Sequence, residues 1–243
     1  MNHPKKWALG VALSLTLVLT GTGAAGGGFP AAADKSPASE IKKVDDAVRV
    51  LDEMMKESDK GIPQELFEKC AGIAILPNVI KAAYIVGGRH GNGILAVRGK
   101  DGRWTNPSFI GITGGSLGWQ IGVESADVIL VFRTSRSVEN ITRGKFTLGA
   151  DAGVAAGPLG RSAEASTDAQ LKAEIYSYSR SRGLYAGLSV QGASLYVDGD
   201  ANEQFYGMKG ISPLAIFDGK VGNVPEAAGK LRAALAKYTG PGK

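Results

Sequence analysis

The chain has 243 residues, 44% of them hydrophobic and 21% charged, a balance typical of a globular protein with a hydrophobic core. Its 35 glycines are about twice the usual share, but they lie inside patterned segments, which excludes the collagen-like and low-complexity classes. The net charge of +5 is a mild basic bias without the clustered basic stripe typical of proteins that bind duplex DNA, so we expect no nucleic-acid partner.

Residues 1–25 have the three parts of a secretory signal peptide. Lys5 and Lys6 form the charged start, an apolar run follows over residues 7–19, and small residues at 22–25 suit cleavage. The apolar run is shorter than the roughly 20 residues of a membrane-spanning helix, although an uncleaved anchor is the alternative. The pattern is bacterial in character, and it predicts an exported protein of the periplasm or the extracellular space.

Two helices are predicted next. Residues 26–39, rich in Gly, Ala, Pro and Ser, predict a flexible linker. Ser36 and Pro37 then supply a cap with proline at the first helical position. Apolar residues follow at the three- and four-residue steps of one helix face, namely Ile41, Val44, Val48, Leu51 and Met55. Pro63 opens a second, short helix that ends at Glu68.

From Ala71 onward the apolar residues recur with a period of two, which is typical of β-strands. We predict strands at residues 71–76, 82–88, 94–98, 108–123, 127–133, 146–155 and within 174–197, with a hairpin turn at 99–102. We predict a short helix at residues 137–142, another short helix that a capped turn at 198–202 begins, and a last helix at 225–238.

The strand glycines indicate the shape of the sheet. In residues 111–122, glycine repeatedly interrupts bulky residues, a pattern typical of bulges, bends and close backbone approach. Strands and helices do not alternate, so a doubly wound parallel sheet is not expected. The fold class is therefore α+β: a glycine-rich, mainly antiparallel, strongly curved or barrel-like sheet flanked by N- and C-terminal helices.

Few residues offer catalytic or metal-binding chemistry. Cys70 is the one cysteine, and beyond the signal peptide His90 is the one histidine, which leaves little scope for a zinc site or a nucleophile–base pair. The glycines around His90, residues 87–93, lack the Lys-Ser/Thr ending of a phosphate loop and predict a hairpin turn. We therefore expect no enzyme, no metal and no cofactor, although an unrecognised carboxylate pair in a hydrolase is the alternative.

Residues 175–185 combine arginines with tyrosines and serines. Their period of two places Tyr176, Tyr178, Arg180 and Arg182 on one face of a strand, with the serines on the other. Arginine binds phosphate through two parallel hydrogen bonds, and tyrosine suits a lipid–water boundary. The pattern predicts a phosphate-binding face, and the alternative is a solvated strand whose tyrosines pack against neighbours.

The same segment resembles a known family. Residues 175–187 are similar to the most characteristic segment of the SYLF (Ysc84-type) domain, and three further blocks follow its motifs, at 104–110, 148–161 and Asn202 with 205–207. The blocks occur in the order of the family, and the resemblance covers about residues 41–238. We expect a single SYLF domain over residues 40–240.

The resemblance implies phospholipid binding, with phosphoinositides favoured by eukaryotic members and actin bound by some fungal ones. For an exported bacterial member we expect neither actin nor phosphoinositide, but anionic phospholipid at a membrane surface to which the protein is peripherally attached. The residues predicted to bind lipid are Arg161, Tyr176, Tyr178, Arg180, Arg182 and Tyr185, with Arg133, Arg136 and Lys145 as further cations. The alternative function is that of a structural or protein-interaction protein of the envelope without lipid affinity.

Overall fold

Helix α1 begins at the predicted position in a computed structural model of the chain. The structure describes residues 36–56, 61–83, 86–117, 122–158, 173–181, 184–187 and 190–239. The predicted signal peptide and most of the predicted linker lie outside these ranges. All described residues belong to one compact unit, residues 34–243.

Helix α1 spans Pro37–Lys56 and is amphipathic as its spacing predicts. The Ser39 amide donates a 3.3 Å hydrogen bond to the Ser36 hydroxyl, which satisfies one of the free amides of the first turn. The buried face is formed by Val44, Ala47, Val50, Leu51 and Met54. Ile41, at the start of this apolar face, is 39% exposed, whereas the neighbouring Glu40 is buried in an ion pair with Lys43.

Five further helices follow. They are α2 (Gln64–Glu68), α3 (Ser135–Thr142), α4 (Gly199–Tyr206), α5 (Pro213–Phe217) and α6 (Glu226–Thr239). All but α5 lie where the sequence predicts a helix. With five residues, α5 is too short to produce a helical period, although its Ser212 cap and its initial proline are start signals. Helix α6 packs beside α1, where the Tyr238 hydroxyl donates to Asp52.

The strands are β1 (Gly72–Ala83), β2 (Val86–Val97), β3 (Ser108–Leu117), β4 (Gly122–Phe132), β5 (Phe146–Thr147), β6 (Val154–Ala156), β7 (Ile175–Ser181), β8 (Leu184–Gly187) and β9 (Ser194–Val197). They form one sheet in the order β5-β9-β3-β2-β1-β4-β7-β6, with β8 also on β7. The β6–β7 pair is parallel, and the other strand pairs described are antiparallel. The sheet is strongly curled into a half-barrel, which confirms the predicted α+β class.

The hairpin turn predicted at residues 87–93 was wrong. His90 lies within β2 and pairs with Ile80 of β1 and Thr113 of β3. Hydrogen bonding on both edges of β2 outweighs the weak strand preference of its glycines. Strand β1 is also longer than predicted, because a bulge after Leu76 lets pairing resume beyond Asn78, whose φ is 52°.

The sheet separates two apolar layers. Residues such as Ile73 and Ile75 face α1, α4 and α6, whereas Ala74 and Leu76, which alternate with them, belong to a second cluster that includes α3. This alternation follows from the period of two in a strand.

Candidate functional site

Tyr176 and Tyr178, two of the predicted lipid-binding residues, lie inside the first apolar layer. They share one face of β7 as predicted, but they are 0% and 1% exposed because this face packs in the layer under α1. Burial raises the pKa of the Tyr178 hydroxyl well above its usual range, so the group remains neutral. In this conformation the two rings contribute to the core, and their contact with lipid stays a prediction.

Arg180 lies on the same face of β7 as these tyrosines, near the end of the strand. Its guanidinium forms ion pairs with Glu53 of α1 and with Asp127 of β4, the latter at 3.0 Å. Asp127 also accepts a 3.1 Å hydrogen bond from the backbone amide of Asn78 in the β1 bulge. Arg180 is 19% exposed and joins a helix to two strands. A phosphate group would therefore have to compete with two carboxylates for it.

The side chains of the three remaining predicted site residues lie outside the described part of the structure. Arg161 and Arg182 lie outside the described residues, and Tyr185 is described only as a backbone position in β8, opposite Arg180. The pairing places Tyr185 beside Arg180 in the sheet. The roles of these three side chains in lipid binding stay predictions.

Residues 133–145, which we call the basic segment, present exposed cations around α3. The Thr134 hydroxyl caps the helix by accepting from the Ser137 amide, and Val138 and Ile141 are buried beneath it. The exposed cations are Arg133, Arg136, Arg143 and Lys145. Glu139 is the one carboxylate within this stretch of sequence. A second carboxylate, that of Glu174, lies against the segment and accepts a 2.7 Å hydrogen bond from the Ser137 hydroxyl. Four cations beside two carboxylates leave an excess of positive charge.

Close packing fixes the orientation of α3. A Cβ at Gly72 would lie 2.8 Å from a methyl carbon of Val138, so α3 approaches β1 more closely than a larger residue would allow. After the helix, Phe146 is 1% exposed and enters the same apolar layer. Apolar anchors on both sides hold the intervening polar positions toward solvent, so the sequence of this segment directs its cations outward.

Neighbouring carboxylates neutralise the basic segment incompletely. Arg143 lies 3.9 Å from Glu139, an exposed pair of the kind that contributes little to stability. The Arg133 guanidinium lies 6.0 Å from the centre of the Tyr176 ring and donates to the Ala173 carbonyl. Arg136 and Lys145 form no ion pair with a residue in the described ranges. Exposed guanidinium and ammonium groups in this arrangement can bind phosphate oxygens.

Sequence reasoning identified three of these cations but missed Arg143. Its signal was its position seven residues, or about two helical turns, after Arg136, which places both on one face of a helix. In the part of the chain that the structure describes, no three His, Cys, Asp or Glu side chains gather in a way that would hold a metal ion. No helix in those ranges is long and apolar enough to cross a membrane.

Comparison with known proteins gives a family match. The sequence model of the Ysc84 family, described as Las17-binding protein actin regulator, matches residues 113–238, just over half of the chain. Three of the four motif blocks lie within the matched residues, and they include the β7 segment.

Several eukaryotic relatives match a longer part of the chain. SH3 domain-containing YSC84-like protein 1 of Homo sapiens is 37% identical over 193 residues, which cover 78% of this chain and 55% of that protein. Protein YSC84 of Saccharomyces cerevisiae is 38% identical over 205 residues, 81% of this chain and 42% of that protein. LAS seventeen-binding protein 3 of the same yeast is 37% identical over 181 residues, 71% of this chain and 39% of that protein.

The chain thus spans about half the length of the relatives it matches, or somewhat less. The resemblance found in the four motif blocks is confirmed by the family model and by these identities. The chain belongs to the Ysc84 (SYLF-domain) family, a family of binding and regulatory proteins.

Proposed function

We propose that this protein is a non-catalytic module that binds the headgroups of anionic phospholipids at a membrane surface. The observation that carries the proposal is the basic segment, in which Arg133, Arg136, Arg143 and Lys145 are exposed around a helix anchored to the core. Its cations have the chemistry that phosphate oxygens require, and its helix provides a firm support.

The attraction would be largely electrostatic. A Lys or Arg close to an anionic membrane contributes about 1 kcal/mol, and the effect falls off within a Debye length, about 8 Å at physiological salt. Four exposed cations in 13 residues therefore favour a membrane with acidic lipids over a neutral one. Binding should weaken as the salt concentration rises.

The predicted arginines on and near β7 extend this proposal. Arg161 and Arg182 would add cations, while Arg180 would contribute only after release from Glu53 and Asp127. We therefore assign the first contact with headgroups to the basic segment. The signal-peptide pattern of residues 1–25 supports a place for this contact in the cell envelope, at the periplasmic or outer surface of a membrane.

Sedimentation with lipid vesicles tests the proposal. Protein lacking residues 1–25 is mixed with vesicles of neutral phosphatidylcholine, or of phosphatidylcholine with phosphatidylglycerol, at low and high salt. We expect binding to the acidic vesicles alone, and less of it at high salt. In the double variant Arg136→Gln/Lys145→Gln, the loss of about 2 kcal/mol would weaken binding roughly 30-fold.

A matched variant controls for net charge. Like the test variant, Lys42→Gln/Lys100→Gln removes two exposed positive charges, one on α1 and one in the turn after β2. It should bind acidic vesicles nearly as well as the wild type. An equal loss in both variants would overturn the assignment to the basic segment. If the wild-type protein sediments with neither kind of vesicle, phospholipid binding is overturned and the protein-interaction alternative is favoured.

A further inference from the structure

An arginine and a lysine lie directly opposite each other on neighbouring strands of the sheet. Arg89 of β2 pairs with Lys81 of β1 in the antiparallel register. Directly opposite residues project from the same face with their Cβ atoms about 5 Å apart, and two like charges in this arrangement destabilise a sheet. Both side chains are partly buried. The pair is therefore unfavourable unless an anion lies between the two cations.

No carboxylate in the described ranges pairs with Arg89. Neither Arg89 nor Lys81 forms an ion pair or a side-chain hydrogen bond with a described residue. Glu124 of β4 is opposite Lys81 on the other side of β1, so its charge offsets part of the lysine charge. It lies two strands away from Arg89, about 10 Å at the usual strand spacing. Arg89 is thus a half-buried cation without a described carboxylate beside it.

Close packing around Arg89 reduces its hydration. Gly91, the next residue of β2 on the same face, is covered by Val79, since a Cβ at Gly91 would lie 2.9 Å from a Val79 methyl carbon. On β3, Arg89 is paired with Gly114, where a Cβ would lie 2.9 Å from the Cα of Ala193. Val79 and Ala193 are both buried in the second apolar layer. Burial lowers the pKa of the Arg89 guanidinium from its ordinary value, a cost that a bound anion would offset.

The chemistry of the pair favours a phosphate group as this anion. A carboxylate has two oxygens, and the planar fork of one arginine binds both. A phosphate group offers further oxygens, which a lysine binds as a point charge. We propose that Arg89 and Lys81 together hold one phosphate group, which belongs either to a phospholipid headgroup or to a small soluble phosphate. Arg89 donates two parallel hydrogen bonds to it, and Lys81 binds a remaining oxygen.

This phosphate site is separate from the basic segment. Helix α3 of that segment packs on Gly72 at the start of β1. Lys81 lies nine positions further along the same strand. At about 3.3 Å per residue, the two places are roughly 25–30 Å apart. The phosphate site is therefore independent of the function proposed above, and either can fail without the other.

Thermal unfolding in phosphate tests the site. Protein lacking residues 1–25 is unfolded in sodium phosphate and in sodium chloride of equal ionic strength, so that general screening is the same. A ligand that binds the folded protein raises its melting temperature, by about 3–6 °C for a protein of this size when phosphate is tenfold above the dissociation constant. Arg89→Gln/Lys81→Gln should lose this rise. In chloride, Arg89→Gln should melt no lower than the wild type, because it relieves the contact between like charges.

A matched variant controls for the loss of charge. Lys100→Gln/Arg103→Gln also removes one lysine and one arginine, both at exposed positions in and beside the turn after β2. It should keep the phosphate-specific rise. An equal rise in the test and control variants would overturn the site. A lower melting temperature of Arg89→Gln in chloride, together with an unchanged response to phosphate, would assign Arg89 a structural role instead.

Vesicle sedimentation distinguishes the two sources of the phosphate group. If the test variant sediments less with phosphatidylcholine–phosphatidylglycerol vesicles than the control variant, the site holds a headgroup, whether or not inorganic phosphate raises the melting temperature. If both variants sediment equally and inorganic phosphate protects the wild type alone or with the control, the site holds a soluble phosphate. Equal sedimentation without any phosphate-specific rise in the wild type would overturn the site in both forms and leave the proposed function intact.

Discussion

The side-chain oxygen of Asn202 on α4 accepts a 2.8 Å hydrogen bond from the backbone amide of Phe109 on β3, 93 residues earlier in the chain. Asn202 is fully buried, and its amide nitrogen lies 3.2 Å from the Ser108 hydroxyl. The bond satisfies a backbone amide at the start of β3, one residue before the residues that pair with β9. Asn202 thus attaches α4 to the sheet, which gives a physical role to one of the motif blocks.

The variant Asn202→Ala should lower the free energy of unfolding by about 1–3 kcal/mol, because the buried Phe109 amide loses its acceptor. Urea denaturation measures this loss. Gln204→Ala, a half-buried position on the same helix, is the control and should change stability much less. Equal stability of the two variants would contradict the role of Asn202.

Gly111 provides a second test of packing. A Cβ at this position would lie 2.2 Å from the Tyr196 ring, so Gly111→Ala should cost about 1–3 kcal/mol of stability through overpacking. Gly88→Ala on the adjacent strand, where a Cβ meets nothing within 4 Å, is the control. Thermal unfolding compares the two. Addition of Tyr196→Ala should make Gly111→Ala far less harmful, and purely additive effects would count against the ring contact.

Substitution of Arg180 and substitution of Arg136 should have different effects, the first on stability and the second on membrane binding. Arg180→Gln leaves Glu53 and Asp127 without their shared cation, and we expect a loss of about 2 kcal/mol in the free energy of unfolding. Arg136→Gln removes an exposed charge and should change stability by less than about 0.5 kcal/mol while weakening vesicle binding. Paired denaturation and sedimentation measure both quantities.

The opposite pattern would identify Arg180 as a headgroup ligand in the resting protein. In that case Arg180→Gln would retain full stability and lose vesicle binding. Such a result would support the strand surface that the sequence predicts and contradict the structural role of its ion pairs.

Alkaline pH should destabilise the protein through Cys70. Burial raises the pKa of its thiol from 9.0 to about 12, so between these values the unfolded chain releases a proton that the folded chain retains. The stabilisation is complete below pH 9 and is lost as pH rises toward 12, at about 1.4 kcal/mol per pH unit. Burial also raises the pKa of Tyr178 and Tyr206, which act in the same direction.

Urea denaturation at a series of pH values within that interval measures the slope. Cys70→Ala carries no titrating thiol, so its stability should fall less steeply with pH than that of the wild type. Parallel slopes would show that Cys70 ionises equally well in the folded protein.

Local patterns predicted the elements better than the contacts between them. The ends of α1 and α6 and the strand-rich middle follow from caps and periods that a short stretch of sequence contains. The partners of Arg180 do not, because Glu53 and Asp127 lie 127 and 53 residues away from it. The alternation in β7 placed Tyr176 and Arg180 on one face correctly, but it contains no information about the helix that covers that face.

His90 is an example of what local sequence could not predict, and the basic segment is an example of what it could. Glycines around His90 are typical of turns, and only pairing with two neighbouring strands makes the segment a strand. The cations around α3 could be found because both their charge and the apolar anchors between them are local. Their exposure depends on the fit of Val138 against Gly72, which joins distant parts of the chain.

The strand order implies a sequence of events in folding. Strands β1, β2 and β3 pair with their neighbours in the chain, whereas β4 crosses to the far side of β1 and β9 reaches β3 from more than 75 positions later. Local pairs close with the smaller loss of chain entropy, so the centre of the sheet should form before its margins. We expect folding on the slow scale of non-local β proteins, with amides of β1 and β2 protected from hydrogen exchange earlier than those of β5, β7 and β9.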